Sequence, residues 1–281
     1  MKKIILDTSE ESEVRLFLHF LNSKEYPQHR NIIFSCFPEL RARLDLQKNN
    51  EEDVVKNFLK ETREKNKKNI QKSVIFIKNE IEEHGEKTLE ILADLMDYKW
   101  KLEGKDYHLV PTILPMSPFK EGVLYYSIYR SLSGSAEHPN VLAVATHEIS
   151  HMILLDLLRE RNEQIGQEML YFIKELIAPI LVYQDDFVGI FKKEIVGNYN
   201  VLEVFFEYSG KRVKAFDYFL QMFNENRAEK KDFTVFLDGM ISICRGIESE
   251  IKDKRNFDNK YGMQIMKDQE LLEKFREPIR I

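Results

Sequence analysis

Cysteine is scarce in this chain, with Cys36 and Cys244 the only two among 281 residues. Two cysteines so far apart do not form the disulfide framework of a small secreted domain. Charge of one sign is not in excess either, because 42 Lys and Arg stand against 47 Asp and Glu, a net charge of −5. The lysines between residues 65 and 72 belong to helical segments that also carry glutamates. We therefore expect a solvated helix face there and no nucleic-acid partner.

Long apolar runs and targeting signals are also not evident in the sequence. No segment approaches the run of about 20 apolar residues that crosses a bilayer. The start, MKKIILDTSEESE, has too few apolar residues before its charges begin to be a signal peptide. We expect a cytoplasmic protein with no membrane partner, whose 43% hydrophobic residues are enough for a sizeable core.

Histidine is rare, and none follows His151. Two of the seven histidines, His147 and His151, lie in the apolar segment VLAVATHEISHMILLDLL at 141–158, with Glu148 between them. Polar side chains in an apolar helix are costly to bury without partners. A metal ion bound by the histidines removes that cost.

The spacing His-Glu-x-x-His suits a zinc site. On a helix, residues four apart project from one face at about 5 to 6 Å between Cβ atoms, so both imidazoles reach one ion. Glu148 lies about 100° round the helix from His147, beside the open position of the metal. There it is placed to take a proton from the attacking water while the ion polarises the carbonyl. We predict Zn²⁺ as the cofactor, His147 and His151 as ligands and Glu148 as the catalytic general base.

The ten residues at 144–153 resemble the active helix of the zincin metallopeptidases. The pattern of that family is a β-branched residue, an uncharged one and any residue, then His-Glu, two uncharged residues, His, an uncharged and a hydrophobic residue. Val144, Ala145, Thr146, Ile149 and Ser150 fit their positions. Met152 and Ile153 complete the match. The resemblance implies an α+β, mostly α, zincin-like fold with a small sheet, the active helix and a C-terminal helical lobe.

A catalytic zinc usually takes three protein ligands, so one more is needed. In the metzincin branch it comes six residues after the second histidine with a glycine between, but Leu157 and Leu154 occupy those positions. The gluzincin branch instead places the third ligand, a glutamate, on the next helix, and the resemblance implies this arrangement here. The next helical segment, GQEMLYFIKELIAPILVYQ at 166–184, is apolar on nearly all sides, and Glu175 lies in its middle. A buried carboxylate needs a partner, and we predict that Glu175 binds the metal.

Other carboxylates remain alternatives to Glu175. Glu168 lies seven residues earlier on almost the same face, in a first turn where a carboxylate also favours the helix dipole. Asp185 and Asp186 are more distant candidates. Asp156 lies about 140° round the first helix from His151, so we expect it to pair elsewhere.

Two segments before the motif read as strands, 107–114 and 122–131, because they are short and rich in Val, Leu, Ile and Tyr. The resemblance makes 123–129 a candidate edge strand for an extended peptide, with ordinary core packing of its tyrosines as the alternative. Pro139 suits the first turn of the active helix. Helices are predicted over 10–24, 51–100 and most of the chain after Gln184, where an aromatic stripe indicates core. The expected lobes are 1–161, carrying the sheet and the active helix, and 162–281, supplying the third ligand.

These observations favour a zinc metallopeptidase of gluzincin type that hydrolyses peptide or protein substrates. The alternative is a noncatalytic zincin-like protein that binds or regulates a partner. Gluzincins often add a Tyr or His that hydrogen-bonds the oxyanion. Since no histidine follows His151, the donor is either a group upstream of the motif or a tyrosine such as Tyr183, Tyr199, Tyr208 or Tyr218, and the sequence does not choose among them. Substrate sequence, endopeptidase or exopeptidase mode and oligomeric state also remain open.

Overall fold

The computed structural model describes residues 2–23, 27–46, 50–101, 106–120, 122–134, 139–192, 199–265 and 267–281. The structure is 68% helical with small sheets, which confirms the α+β, mostly α class. The chain divides into two compact units, one of residues 1–87 and 101–144 and the other of residues 88–100 and 145–281. The lobes expected at 1–161 and 162–281 stay a prediction.

Unit 1 contains a four-stranded sheet in the order β1-β2-β4-β3. The strands are β1 (Ile4–Leu6), β2 (Tyr107–Thr112), β3 (Phe119–Lys120) and β4 (Val123–Ser127). β2 pairs in parallel with β1 and with β4, and β3 pairs antiparallel with β4. The predicted strands at 107–114 and 122–131 are thus confirmed, although the second ends at Ser127 and a 3₁₀ turn follows at Tyr129–Ser133.

The prediction that residues 123–129 form a sheet edge is wrong. β4 lies inside the sheet, because Phe119 and Lys120 pair with Leu124 and Val123 on its outer side. The amide of Tyr125 also donates to the carbonyl of Pro118, at 2.9 Å. The backbone groups that would receive an extended peptide are therefore already paired.

The helices of unit 1 include those predicted from apolar periodicity, together with two between Pro27 and Leu46, for which no periodicity was predicted. Their bounds are α1 (Glu10–Asn22), α2 (Pro27–Cys36), α3 (Pro38–Leu46), α4 (Glu51–Lys65) and α5 (Lys67–Leu95), which continues past the unit boundary. α1 and α4 each bury one face, with Phe17 and Phe58 fully enclosed. This confirms the helices expected at 10–24 and over most of 51–100.

A buried carboxylate joins three elements of unit 1. Glu13 of α1 is 1% exposed, and its Oε1 accepts from the Thr112 hydroxyl at 2.8 Å and the Ile113 amide at 2.7 Å. Its Oε2 accepts from Arg63 Nε of α4 at 2.6 Å. Glu13 therefore ties α1 to α4 and to the end of β2.

Replacing Glu13 with glutamine should destabilise the protein by about 3 kcal/mol, because a buried ion pair that loses one partner leaves the other charge uncompensated. Urea denaturation followed by circular dichroism measures the change. Glu61→Gln is the matched control, since Glu61 pairs with Arg43 at 2.7 Å on the exposed surface, where such pairs contribute little. Equal denaturation midpoints for the two variants would contradict the role assigned to Glu13.

Unit 2 is built on helices around an apolar central one. After α6 (Val141–Glu160), whose first turn belongs to unit 1, its elements are α7 (Gln167–Val182), α8 (Tyr199–Leu202), α9 (Ala215–Ala228), α10 (Phe233–Gly246), α11 (Glu248–Tyr261) and α12 (Gln269–Phe275). α7 packs against α9, α10 and α11, and its residues from 175 to 182 are all buried. The turn predicted between α6, which carries the His-Glu-x-x-His motif, and α7, which carries Glu175, is confirmed at residues 161–166.

The aromatic stripe after Gln184 is core as predicted, with Phe187, Phe206, Phe219 and Phe223 at most 1% exposed. Helix over most of this region is confirmed, but the sequence did not predict β5 (Phe205–Tyr208), β6 (Lys211–Lys214) and β7 (Ile279–Arg280), which form a second sheet. Its hairpin turns at Ser209 and Gly210, both with positive φ (51° and 71°), as a tight two-residue hairpin loop requires.

Among the described residues, one helix is long and apolar enough to span a membrane, contrary to expectation. α6 has 20 residues and a mean hydropathy of 1.5, and 78% of its most apolar window is buried inside the protein. Core helices of soluble proteins also reach this length and hydropathy.

Candidate metal centre

The motif helix α6 begins after a side-chain cap that the sequence prediction missed. Asn140 is the N-cap, because its Oδ1 accepts from the amides of Leu142 at 2.8 Å and Ala143 at 3.2 Å. The prediction that Pro139 lies in the first turn of the helix is wrong. Pro139 precedes this cap. From here the helix runs unbroken to Glu160, so His147, Glu148 and His151 lie on consecutive turns as predicted.

Both histidines are buried on α6. His147 is 5% exposed and His151 is 7% exposed, and their ring centroids are 4.6 Å apart. This is the side-by-side arrangement expected of residues four apart on one helix face. All site residues described below belong to unit 2.

Glu175 of α7 meets the two histidines. It is 9% exposed, and ligand atoms of His147, His151 and Glu175 all lie within 4.8 Å of one another. Among the described residues, these form the one group of three or more His, Cys, Asp or Glu side chains that is compact enough to hold a metal ion. The sequence choice of Glu175 over its competitors therefore agrees with where the side chains lie.

The spacing of the facing atoms fits a small cation. Glu175 Oε2 lies 3.8 Å from His147 Nε2, too far for a hydrogen bond. Ligand atoms at zinc distances in a tetrahedral site are about 3.3 to 3.5 Å apart, so these two atoms need to approach by about 0.4 Å. The other pairs of the group lie within 4.8 Å and need to approach by at most about 1.4 Å. Two imidazoles and one carboxylate are a donor set used in catalytic zinc sites. The residues present thus fit the predicted ion.

A backbone contact orients His151. Its Nε2 lies 3.1 Å from the carbonyl oxygen of Lys174, an atom that only accepts. Nε2 therefore donates in this contact, and in a neutral imidazole the lone pair of Nδ1 is then the one available to a metal ion. Histidine ligands commonly donate their second ring N–H to a carbonyl in this way, which fixes the ring and its tautomer.

Glu175 stays ionised in spite of its burial. Burial raises the pKa of its carboxyl, but the charge and hydrogen bond of Lys174, together with electrostatic interaction with His151 and His147, outweigh it and hold the pKa below its ordinary value. Lys174 Nζ donates to Glu175 Oε1 at 2.9 Å. One carboxylate oxygen is thus bound by the ammonium, and the other faces His147.

Glu148 lies beside this group without being part of it. Its Oε2 is 3.7 Å from His151 Nδ1, and its side chain is 18% exposed, more than those of the histidines. A carboxylate adjacent to the ligand atoms and open to solvent is placed to exchange a proton with water.

The alternative carboxylates lie in other contacts. Glu168 is in the first turn of α7 and lines a separate small cavity with Tyr171 and Arg255. Asp156 accepts from the Tyr98 hydroxyl at 2.9 Å and from Arg159 at 3.0 Å, so it pairs elsewhere as expected. Asp186 pairs with Arg227 through both oxygens. Asp185 is not part of the group either.

The tyrosines proposed as oxyanion donors do not single out a candidate. Tyr183 packs on Phe216, and Tyr208 packs on Tyr218. The side chain of Tyr199 lies outside the described residues. Sequence reasoning overlooked Tyr171, which is one helical turn before Glu175. Burial and the Glu175 charge raise the pKa of its phenol, while the Arg255 guanidinium, 3.6 Å above the ring centre, opposes this.

Cavity size does not mark the candidate centre. A cavity of 720 Å³ lies in unit 1, lined by Cys36, Arg43 and Tyr129 among others, and it contains none of the four candidate residues. The candidate centre is identified by its side-chain chemistry, because a buried cluster of histidine and carboxylate side chains is a more specific sign of a functional site than an open groove.

Comparison with protein-family models, with curated proteins and with solved structures finds no match for this chain. The resemblance to the zincins therefore rests on residues 144–153 alone, and the likeness to the zincin fold stays a prediction.

Proposed function

We propose that this protein is a zinc-dependent peptidase that hydrolyses peptide bonds with His147, His151 and Glu175 as metal ligands and Glu148 as general base. The observation that carries the proposal is the buried His-His-Glu group with the Glu148 carboxylate beside it. The substrates are peptides or proteins, and we keep the gluzincin-like fold and the cytoplasmic location as part of the proposal.

The ligand residues have distinct roles in this proposal. His147 would bind the ion through Nε2 and Glu175 through Oε2, the two atoms that face each other at 3.8 Å. The carbonyl of Lys174 holds the His151 ring in the tautomer that keeps Nδ1 free of a proton. A bound zinc ion polarises the carbonyl under attack and lowers the pKa of water.

Glu148 carries the proton in this mechanism. Its Oε2 takes a proton from the attacking water and then delivers it to the nitrogen of the leaving amine, since the same carboxyl is base in the first step and acid in the second. The 18% exposure of Glu148 lets its carboxylate contact water and substrate, while the ligand histidines stay enclosed.

The general base distinguishes a hydrolytic zinc site from other metal sites that have the same ligand types. Two histidines and one carboxylate also bind iron(II) in oxygenases, which do not need a base at the metal. A carboxylate held next to the ligand atoms favours hydrolysis, because water activation by an ion requires a proton acceptor.

The test is incubation of the purified protein with a mixed peptide library, read by mass spectrometry, with and without a chelator. We expect new peptide termini that disappear when the chelator is present and return when zinc is added back. A protein that binds zinc yet cleaves no peptide would overturn the peptidase proposal and favour the noncatalytic binding protein.

A further inference from the structure

Lys174 places a positive charge at the candidate metal centre, where a divalent cation is expected. Its ammonium lies 2.9 Å from Glu175 Oε1, and the other oxygen of the same carboxylate faces His147. The Lys174 side chain is 29% exposed and that of Glu175 is 11% exposed, so the ammonium lies between solvent and the enclosed ligands.

We propose that Lys174 is a built-in counter-ion, which holds the ligand group together when the metal is absent and weakens zinc binding when it is present. The proposal rests on the proposed function, because it takes His147, His151 and Glu175 as the zinc ligands. Lys174 then has a regulatory role, since it makes the metal easier to exchange and keeps the site of the metal-free protein assembled.

The charges of the metal-free site explain why such a counter-ion is needed. Glu148 and Glu175 bring two carboxylates next to two histidines, and Glu175 is almost fully enclosed. An enclosed carboxylate is costly without a partner. The ammonium of Lys174 is that partner, so assembly of the group does not depend on a bound cation.

A zinc ion bound to the Glu175 carboxylate would be repelled by the Lys174 ammonium. An ion on Glu175 Oε2 would be about 5 Å from the ammonium on Oε1, and a charge of +2 repels a charge of +1 at that distance even in a water-like dielectric. The alternative for the ammonium is to leave Glu175 for solvent or for the Tyr171 ring, whose centre is 5.5 Å away. Whether the ammonium stays on Glu175 or leaves it, Lys174 stabilises the metal-free protein more than the zinc-bound protein.

The backbone of Lys174 acts separately from its side chain. The carbonyl oxygen contacts His151 Nε2, and this contact does not depend on the identity of the side chain at position 174. A substitution at position 174 therefore keeps the orientation of His151, whether or not it changes the charge.

The experiment measures zinc affinity by competition with a calibrated chelator for the parent chain and four variants. Lys174→Met removes the charge but keeps the length of the side chain. Lys174→Gln keeps a hydrogen-bond donor for Glu175 and serves if the Met variant folds poorly. Lys174→Arg keeps the charge, and Lys267→Met removes an exposed lysine elsewhere in unit 2 as the matched control.

We expect Lys174→Met and Lys174→Gln to bind zinc at least about tenfold more tightly than the parent, the size of the repulsion at about 5 Å. Lys174→Arg and Lys267→Met should stay within about threefold of the parent. Without metal, thermal unfolding of the Met variant should begin at a lower temperature than that of the parent. The temperature gained on adding zinc should be larger for this variant.

Unchanged or weaker zinc binding in both uncharged variants would overturn the counter-ion proposal. A parent chain that binds no zinc would instead overturn the proposed function, so the two failures are distinguishable in one set of titrations.

Discussion

Replacing Glu148 with glutamine is expected to lower the rate of peptide hydrolysis by about three orders of magnitude while the protein keeps its zinc and its fold. Glutamine has nearly the same shape and still hydrogen-bonds water, but it does not take a proton. Because Glu148 is not one of the three ligands, the metal content should not change. The measurement compares zinc content and peptide cleavage in the same preparation.

The control for this variant is Glu160→Gln, an exposed glutamate at the end of the same helix. It makes the same chemical change about three helical turns away from Glu148, and its cleavage rate should equal that of the parent. Cleavage by Glu148→Gln at the parent's rate would show that the proton acceptor is another group and that the motif has a structural role.

The second large effect is a loss of zinc affinity when Glu175, the proposed third ligand, is replaced. Glu175→Ala should weaken zinc binding by more than about 100-fold, since loss even of a group that only supports a ligand costs about 10 to 100-fold. Glu168→Ala is the comparison that the chain itself offers, because Glu168 lies on the same helix seven residues earlier. Its zinc affinity should match that of the parent.

Chelator competition measures both affinities. Loss of zinc in Glu168→Ala with retention in Glu175→Ala would assign the third ligand to Glu168 and would contradict the geometry at His147. Loss in neither would assign it to a residue outside α7.

The sequence was sufficient for the candidate centre where local periodicity decides structure. His147 and His151 share a face because the apolar segment around them is helical, and helical spacing four apart brings two side chains together. Glu175 was chosen because a carboxylate in a segment that is apolar on nearly all sides needs a partner. These inferences use only neighbours along one helix and the cost of burial.

The sequence did not reveal contacts that depend on distant segments. The edge prediction for residues 123–129 failed because two residues, Phe119 and Lys120, cover β4, and such a short strand leaves no periodic pattern. The second sheet was missed because Phe205 and Phe206 also fit helical spacing. The Ser209-Gly210 pair was the available signal, since that dipeptide favours a turn.

The surroundings of the ligands were likewise beyond local patterns. Lys174 appeared in the sequence only as a charge next to Glu175, although its ammonium contacts Glu175 and its carbonyl contacts His151, two of the proposed ligands. The stacking of Arg255 on Tyr171 joins two residues that are more than 80 positions apart in the sequence, and it follows from tertiary packing. Hydrogen bonds and contacts of this kind fix the geometry of a metal site but leave no spacing in the sequence.

The most direct test of the central claim is elemental analysis of the purified protein and of His147→Ala after both have been supplied with zinc and freed of loosely bound ions. We predict one zinc per chain in the parent and none in the variant, because His147 contributes one of only three ligands. A parent chain without zinc, or a His147→Ala protein that retains one zinc per chain, would contradict the account.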